Sequence, residues 1–334
     1  METIKITYGT PETQIDITQI CLTHHTHNNV IKIQDGDSNR ARYFSDPVYG
    51  MLKTIFVELD GVKTEHPHNE SIEINLINKT IKVTTSEEIE EKLANIHAQV
   101  TLNYGSFQEE KPEQRMAIKY LTGNEKVLEI GGNIGRNSLV IGHLLNQYKS
   151  QSPSPSPSLV VLECDPQTVR QLTENRDTNN MNFHIEPAAL SKRKLIQRGW
   201  DTIPSEEVLP EYTPVNTITI EELNQKYNIL FDTLVLDCEG AFYYILMDMP
   251  EILNNIKLII MENDYLDIEK KNYVDNVLTQ HNFYVDYAET GGWGPCYNKF
   301  FEVWVGEPTV LLQMPPFASL RPPPFNFDCI FVGR

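Results

Sequence analysis

Over residues 1–85 apolar positions recur in short runs separated by turn residues: Ile4-Lys-Ile6, Ile15-Asp-Ile17, Ile31-Lys-Ile33, Ile55-Phe-Val57, Ile72-Glu-Ile74 and Ile81-Lys-Val83. A period of two predicts strands, and hence a small β-rich module. The period then changes. Thr85-Ser-Glu-Glu88 has the form of a capping box, and Ile89, Leu93, Ile96 and Val100 follow at helical spacing. A linker helix is expected over residues 86–105, leading into a second domain over 106–306.

From Lys126 onward near-continuous apolar runs alternate with helical stretches. Residues 127–130, 159–162, 183–185, 233–237 and 258–261 read as strands, and residues 138–147, a segment opening at Asp165-Pro166, 242–247 and 268–280 as helices. Strands apolar on both faces belong to a parallel sheet covered by helices on each side. Two last strands, 283–287 and 300–305, joined by a glycine-rich loop, predict a closing antiparallel hairpin. The expected fold class is α/β: a doubly wound sheet with a C-terminal hairpin, preceded by a small β-rich N-terminal module. Ser152-Pro-Ser-Pro-Ser-Pro-Ser158 packs no core and reads as a surface insertion at the amino-terminal edge of the sheet. Open α/β sheets bind ligands at the other edge. Residues 307–334 form a Pro-rich tail.

Charge narrows the partners. Across 334 residues, 46 acidic and 28 basic side chains leave a formal charge of −18, and no Lys/Arg-rich run offsets it. Such a surface repels a polyanion, so nucleic acid is not an expected partner. Cys21, Cys164, Cys238, Cys296 and Cys329 are odd in number and scattered without a C-x-x-C pair. That argues against a disulfide framework or structural zinc and for a reducing compartment. No basic segment precedes an apolar run at the start, and no stretch approaches the roughly 20 apolar residues of a membrane span. A cytoplasmic protein without membrane contact is expected.

Val127-Leu-Glu-Ile-Gly-Gly-Asn-Ile-Gly135 is a strand running into a glycine turn and a helix. Glycines serve where backbone turns tightly and lies against a ligand, and the helix presents free N–H groups. A dinucleotide site would read G-x-G-x-x-G. Here the order is E-x-G-x-N-x-G, whose strand carboxylate repels pyrophosphate but accepts a bond from the ammonium of a methionine moiety. The second strand ends in Glu163, where a carboxylate takes both ribose hydroxyls. The interval from the first glycine exceeds the usual roughly 20 residues because the Ser-Pro insertion lies inside it. Asp237 ends the fourth strand.

Taken in order, Glu129 to Gly135, Leu162-Glu-Cys-Asp-Pro166, Ala188-Ala-Leu-Ser191 and Leu236-Asp-Cys-Glu-Gly240 resemble the FkbM family of class I O-methyltransferases. Departures are Glu129 for the commoner Asp, Gly132 for Ala, Cys164 for Pro, and the long insertion before the second strand. The resemblance spans residues 104–306. It implies a Rossmann-like methyltransferase sheet, S-adenosylmethionine as methyl donor, and a hydroxyl acceptor on a saccharide or glycosylated metabolite. Carried onto this chain, it implies that Glu129, Gly131, Asn133 and Gly135 face the methionine end, Glu163 the ribose, and Ala188 the adenine. Asn137 and Ser138 either cap the next helix or touch the cofactor, and Asp237 closes the site.

Methyl transfer is an in-line displacement, so positioning carries much of the catalysis. A sugar hydroxyl still needs a base or a metal to shed its proton. The candidates are Asp237 and Glu239 at the fourth strand, and Glu262, Asn263 and Asp264 past the fifth; Asp237, Glu239 and Glu262 form the catalytic set. Asp237 with Glu262 and Asn263 is also similar to the arrangement by which catechol-type methyltransferases hold Mg²⁺. The rival is a metal-free mechanism with Asp237 or Glu239 as base. Gly291-Gly-Trp-Gly-Pro-Cys-Tyr297 suits stacking on a sugar ring, or is a hairpin turn around a packed Trp293. Tyr104-Gly-Ser-Phe-Gln-Glu109 folds over the cofactor or is linker.

Weaker motifs remain in the first module. Asp35-Gly-Asp-Ser-Asn39 looks faintly like a calcium loop but lacks the required glycine, and a surface turn is the better reading. His24-His25-x-His27 shows no partner ligands. Glycan binding or dimerisation into a homo-oligomer is the expectation for this module. A base methyltransferase would need Asn/Asp-Pro-Pro-aromatic after the fourth strand; Met314-Pro-Pro-Phe317 is misplaced for that. The alternatives carried forward are a non-catalytic glycan-binding or assembly protein with a vestigial cofactor site, and a methyltransferase with a non-sugar acceptor.

Overall fold

The structure, a computed structural model, describes residues 4–27, 29–149, 158–199 and 201–306. The Ser-Pro repeat up to residue 157 and the Pro-rich tail lie outside them. The first module contains β1 (Ile4–Gly9), β2 (Gln14–Asp16), α1 (Thr18–His24), β3 (Thr26–His27), β4 (Val30–Ile33), α2 (Asp37–Phe44), β5 (Thr54–Leu59), β6 (Val62–His66), β7 (Glu70–Asn75) and β8 (Thr80–Thr85). Two antiparallel sheets, β2-β1-β5-β6 and β3-β4-β7-β8, close on a core of Ile6, Tyr8, Ile31, Ile33, Ile55, Val57, Ile72 and Ile74.

Both helices were absent from the periodicity. In α2 only Arg40 and Phe44 are buried, one turn apart, too little apolar surface to register as a helix. Arg40 is 1% exposed and donates to the carbonyls of Gln34, His66, Pro67 and Glu70 at 2.5–3.2 Å. Burial lowers its pKa to about 10. The faint calcium motif is a scaffold instead: Asp37 pairs with Lys53, and Asp35 with Lys119, Ser71 and Ser86. His25 packs between the rings of Tyr43 and Phe44.

The capping box forms as expected: Glu88 N donates to Thr85 Oγ1 and Thr85 N to Glu88 Oε2, opening α3 (Ser86–His97). Its buried stripe of Ile89, Leu93 and Ile96 packs on Ile118 and Val140. A further helix, α4 (Lys111–Tyr120), with Pro112 in its first turn, opens the second domain ahead of its first strand and had no counterpart among the expected elements. It lies between module and sheet. On the module side Lys119 reaches Asp35, while Gln34 donates to the Asp286 carbonyl and Tyr120 OH to the Asp286 carboxylate.

The second domain runs through β9 (Val127–Ile130), α5 (Arg136–Lys149), β10 (Leu159–Leu162), α6 (Pro166–Thr178), β11 (His184–Glu186), β12 (Ala189–Leu190), β13 (Leu195–Arg198), β14 (Asp201–Pro204), β15 (Thr213–Val215), β16 (Thr217–Ile218), α7 (Ile220–Tyr227), β17 (Thr233–Leu236), α8 (Phe242–Asp248), β18 (Leu258–Glu262), α9 (Ile268–Gln280), β19 (Phe283–Glu289) and β20 (Phe301–Gly306). Seven of these strands form one sheet, β11-β10-β9-β17-β18-β20-β19. Neighbours from β11 to β18 are parallel, and β20 is antiparallel to both β18 and β19. Strands β9, β10 and β17 are buried at every position, as sheets covered on both faces require. Helix α7 and the small sheet β14-β13-β15 were not foreseen. The chain leaves β9 toward β10 and returns to its other side as β17, which puts the topological switch point between the carboxyl ends of β9 and β17.

Candidate active site

The glycine turn after β9 is held by its neighbours. Gly131 N and Gly132 N both donate to Leu162 O, and Asp237 N donates to Ile130 O. A Cβ on Gly131, at φ +90°, would lie 1.6 Å from the Asp237 carbonyl oxygen; one on Gly135, at φ +93°, would lie 2.5 Å from Leu172 Cδ1. Gly131 is demanded by the backbone just past β17 and Gly135 by Leu172 of α6, where ligand approach was the sequence-based reason. Asn133 adopts φ +47°, which Asn tolerates better than most residues.

Glu163 braces this turn. Its Oε2 accepts from Asn133 N and its Oε1 from Asp165 N, each at 2.9 Å. Burial nonetheless raises its pKa. The carboxylate thus keeps only its remaining lone pairs for a further partner. Ala188 is buried just past β11, beside the Glu163 N to Glu186 O bond.

Glu129, within β9, is 3% exposed. Its Oε2 has no hydrogen-bond partner among the described residues, and neither do Asn137 Oδ1 and Ser138 Oγ. Neither residue therefore caps α5 through these oxygens. Burial pushes Glu129 up to about 8, against the pull of Ser138 and Asn137 beside it. Ser138 and Asn137 thus stand within hydrogen-bonding reach of the Glu129 carboxyl, yet Oε2, Oδ1 and Oγ lack well-aligned partners, an unusual constellation since buried polar atoms are nearly always paired.

Segment 103–110 covers the turn. Glu109 and Glu110 both pair with Arg136, and Glu110 Oε1 accepts from Asn133 Nδ2 at 3.2 Å. Burial raises Glu110 to about 7 despite Arg136. Tyr104 OH hydrogen-bonds Glu174 on α6.

A second group of carboxylates stands at the ends of β17 and β18. Oxygens of Asp237, Glu262 and Asp264 lie within 4.8 Å of one another. Burial, then Glu110, Glu113, Asp264 and Glu239, hold Asp237 well above the ordinary carboxylate range. Glu262 is raised by burial, by a hydrogen bond with Glu113, and by Asp237; Asp264 is raised to about 6 by burial and Glu239. Among the described residues no ion pair joins Asp237, Glu262 or Asp264 to a lysine or arginine, whereas Glu110 pairs with Arg136. Glu239 is exposed, with φ +49° beside Gly240 at φ +74°, the kind of strained backbone that clusters at functional sites.

Of the expected metal ligands, Asp237 and Glu262 come together; Asn263 is fully buried beside them, and its Oδ1, the atom a hard cation would take, has no hydrogen-bond partner among the described residues while its amide nitrogen is occupied. That nitrogen donates to Lys299 O and Glu302 Oε2, within a buried network that includes Lys271. Asp264 adds a third carboxylate. The contribution of α4 was missed altogether: Glu110 and Glu113 sit three apart before any strand signal, and only the (i, i+3) spacing behind Pro112 hints at them. The rim of this edge is apolar. Leu266, Trp293 and Tyr297 are exposed, and Gly294 abuts Tyr265. Trp293, 47% exposed, is not the packed core of its loop.

Seven strands in this order, with the sixth in space antiparallel, make this a Rossmann-like methyltransferase fold with extra antiparallel sheets. The chain matches no family model and no curated protein. Among solved structures it is similar to an O-methyltransferase described as putative from Klebsiella pneumoniae, at 14% identity over 66% of this chain and 90% of that one, TM-score 0.36. It is similar to an O-methyltransferase from Bacillus cereus in complex with SAH, at 15% identity over 66% and 92%, TM-score 0.36. It is also similar to Aeropyrum pernix fibrillarin with bound S-adenosyl-L-methionine, at 9% identity over 71% and 93%, TM-score 0.35. The fold assignment rests on the strand order rather than on these overlaps. No described helix is long and apolar enough to cross a membrane.

Proposed function

We propose that this protein is an S-adenosylmethionine-dependent O-methyltransferase of FkbM type, acting on a hydroxyl of a saccharide or glycosylated metabolite. The observation that carries the reading is the buried cluster of Glu129, Asn137 and Ser138 at the switch point, whose Oε2, Oδ1 and Oγ lack well-aligned partners and can each accept a hydrogen bond. A primary ammonium has three N–H donors and no acceptor, and fits such a trio. Glu163 offers its remaining lone pairs to the ribose, with Ala188 beside the base. S-adenosylmethionine supplies an electrophilic methyl group when bound. Asp237, Glu239, Glu262 and Asp264 stand where an acceptor hydroxyl would shed its proton, and Asp264, at about 6, is matched to neutral pH as a base. Mg²⁺ among these carboxylates is part of the proposal. Trp293 and Tyr297 offer faces for a sugar ring.

The exposed Leu266 beside them favours a second reading, a less polar, non-sugar acceptor. Calorimetric titration with S-adenosylmethionine followed by methyl transfer from labelled donor over a panel of saccharides and aromatic alcohols tests both. Absence of donor binding, or binding unchanged in Glu163→Ala, overturns the main reading; transfer only to the aromatic alcohols selects the second.

A further inference from the structure

The ammonium and the carboxylate of an amino-acid head sit on one carbon, so a site that takes the ammonium at Glu129 must take the carboxylate next door. The backbone of the glycine turn is not free to do so. Five successive N–H groups there already have acceptors inside the chain: Gly131 and Gly132 on Leu162 O, Asn133 on Glu163, Ile134 on Asn133 Oδ1, and Gly135 on Gly132 O. Three further donors flank the turn, and all of them face one group, the carboxylate of Glu110. Arg136 Nη1 donates to its Oε1 at 2.6 Å and Asn133 Nδ2 at 3.2 Å, and the Asn137 backbone N–H is within hydrogen-bonding reach of it. Glu110 lies near enough to Glu129 to act on it electrostatically, and Asn137 serves both acids, its side chain beside Glu129 and its backbone beside Glu110. Arg136 holds neither of its acids with two prongs: Nη1 goes to Glu110, Nη2 to Glu109, and the buried Nε has no partner among the described residues. A guanidinium pairs best with a carboxylate through two parallel N–H bonds.

We propose that Arg136, the Asn133 side-chain amide and the Asn137 N–H form the site for the donor's carboxylate, and that Glu110 is an internal stand-in for that group, which the donor must displace. The proposal rests on the methyl-donor reading above. Glu110 fills the anion site but leaves Glu129 unserved, whereas a zwitterionic amino-acid head satisfies both at once. A nucleoside with an ammonium and no carboxylate gains nothing from the exchange and leaves Glu110 in place. The chain thus carries its own competitor for the donor, and that competitor selects for ligands bearing the whole amino-acid head.

The test is calorimetric titration of the full chain with S-adenosylmethionine and with its decarboxylated analogue, which keeps the ammonium and the sulfonium. It is run at pH 8, where Glu110 is ionised. Glu110→Gln should tighten S-adenosylmethionine about tenfold, the worth of one charge-assisted bond no longer competed for. It should not tighten the analogue, which loses a negative neighbour and gains no new contact. Glu110→Ala repeats the measurement without an amide in the pocket, and thermal melts without ligand show that each variant is folded. Adding Arg136→Met to Glu110→Gln leaves no buried Glu110 charge unpaired, and should abolish the preference for S-adenosylmethionine over the analogue. Two results overturn the proposal: S-adenosylmethionine bound no more tightly by either Glu110 variant, where weaker binding would make Glu110 a ligand of the ammonium instead; or a preference for S-adenosylmethionine that survives the loss of Arg136. Binding of either ligand by wild type upholds the donor reading whichever way Glu110 falls, and binding of neither by any of these proteins overturns both.

Discussion

Glu129 allows a quantitative test, because its carboxyl is buried with an oxygen unpartnered. Burial moves its pKa from 4.5 to about 8. In the folded, ligand-free protein it therefore keeps its proton at pH values where the unfolded chain has lost it. The folded state binds more protons between these values, so stability falls as pH rises through that window. At about 1.4 kcal/mol per unit, the loss attributable to Glu129 is about 3 kcal/mol at pH 7 and approaches about 5 kcal/mol above pH 8. Glu129→Gln removes the titration and leaves an amide whose own unmet bonds cost about 1–3 kcal/mol. Urea denaturation of both proteins from pH 5 to pH 9 should give curves that converge near pH 5 or favour wild type there, and that cross so that the variant is the more stable by pH 8. The same substitution removes a charge-assisted bond to the donor's ammonium, worth about 1.5–3 kcal/mol, or roughly 10- to 150-fold in Kd. Parallel stability curves across this range, or equal donor affinities, refute the reasoning.

Four further outcomes are expected. Gly131→Ala drives a Cβ into the Asp237 carbonyl and should cost more than about 3 kcal/mol by urea denaturation; a loss below about 1 kcal/mol would mean the turn shifts freely. Glu163→Ala strands Asn133 N and Asp165 N, at about 1–3 kcal/mol each, so its Tm should fall even without donor. Arg40→Met leaves four carbonyls without their donor and should cost at least about 3 kcal/mol, seen as early loss of amide protection in the first module; unchanged exchange there contradicts the role assigned to Arg40. Trp293→Ala should raise KM for the acceptor severalfold while leaving the Kd of S-adenosylmethionine unchanged, and a change confined to the donor would remove Trp293 from the acceptor side.

What could be read from sequence followed the strength of periodic burial. Strands β9, β10, β17 and β18 are largely apolar and, with β11, are found within a residue or two of their expected ends; α9 lies where expected. The alternating isoleucines of the first module all fall on strands or directly beside one. By contrast α2 and α4 hide because their buried faces carry Arg40, Glu113 and Gln114, residues a hydrophobic pattern counts as exposed. The site divides the same way. Glu129, Glu163 and Asp237 mark strand ends, which a motif can register. Glu113 reaches the cluster only through tertiary packing, and the orientation of Asn263 at the end of β18 is set by its amide bond to Glu302 in the buried Lys271–Glu302 network, which no motif registers.

The acidic wall of the crevice bears on turnover. On the proposed reading, methyl transfer converts a positively charged sulfonium into a neutral thioether, and the acceptor's proton passes to a carboxylate and on to solvent, which restores the pocket's acidic wall. A wall of like charge holds the cation more firmly than the spent, uncharged by-product. The enzyme would then discriminate between its donor before and after use by charge rather than by shape. Exchange would run in the productive direction, and inhibition by accumulated by-product would weaken.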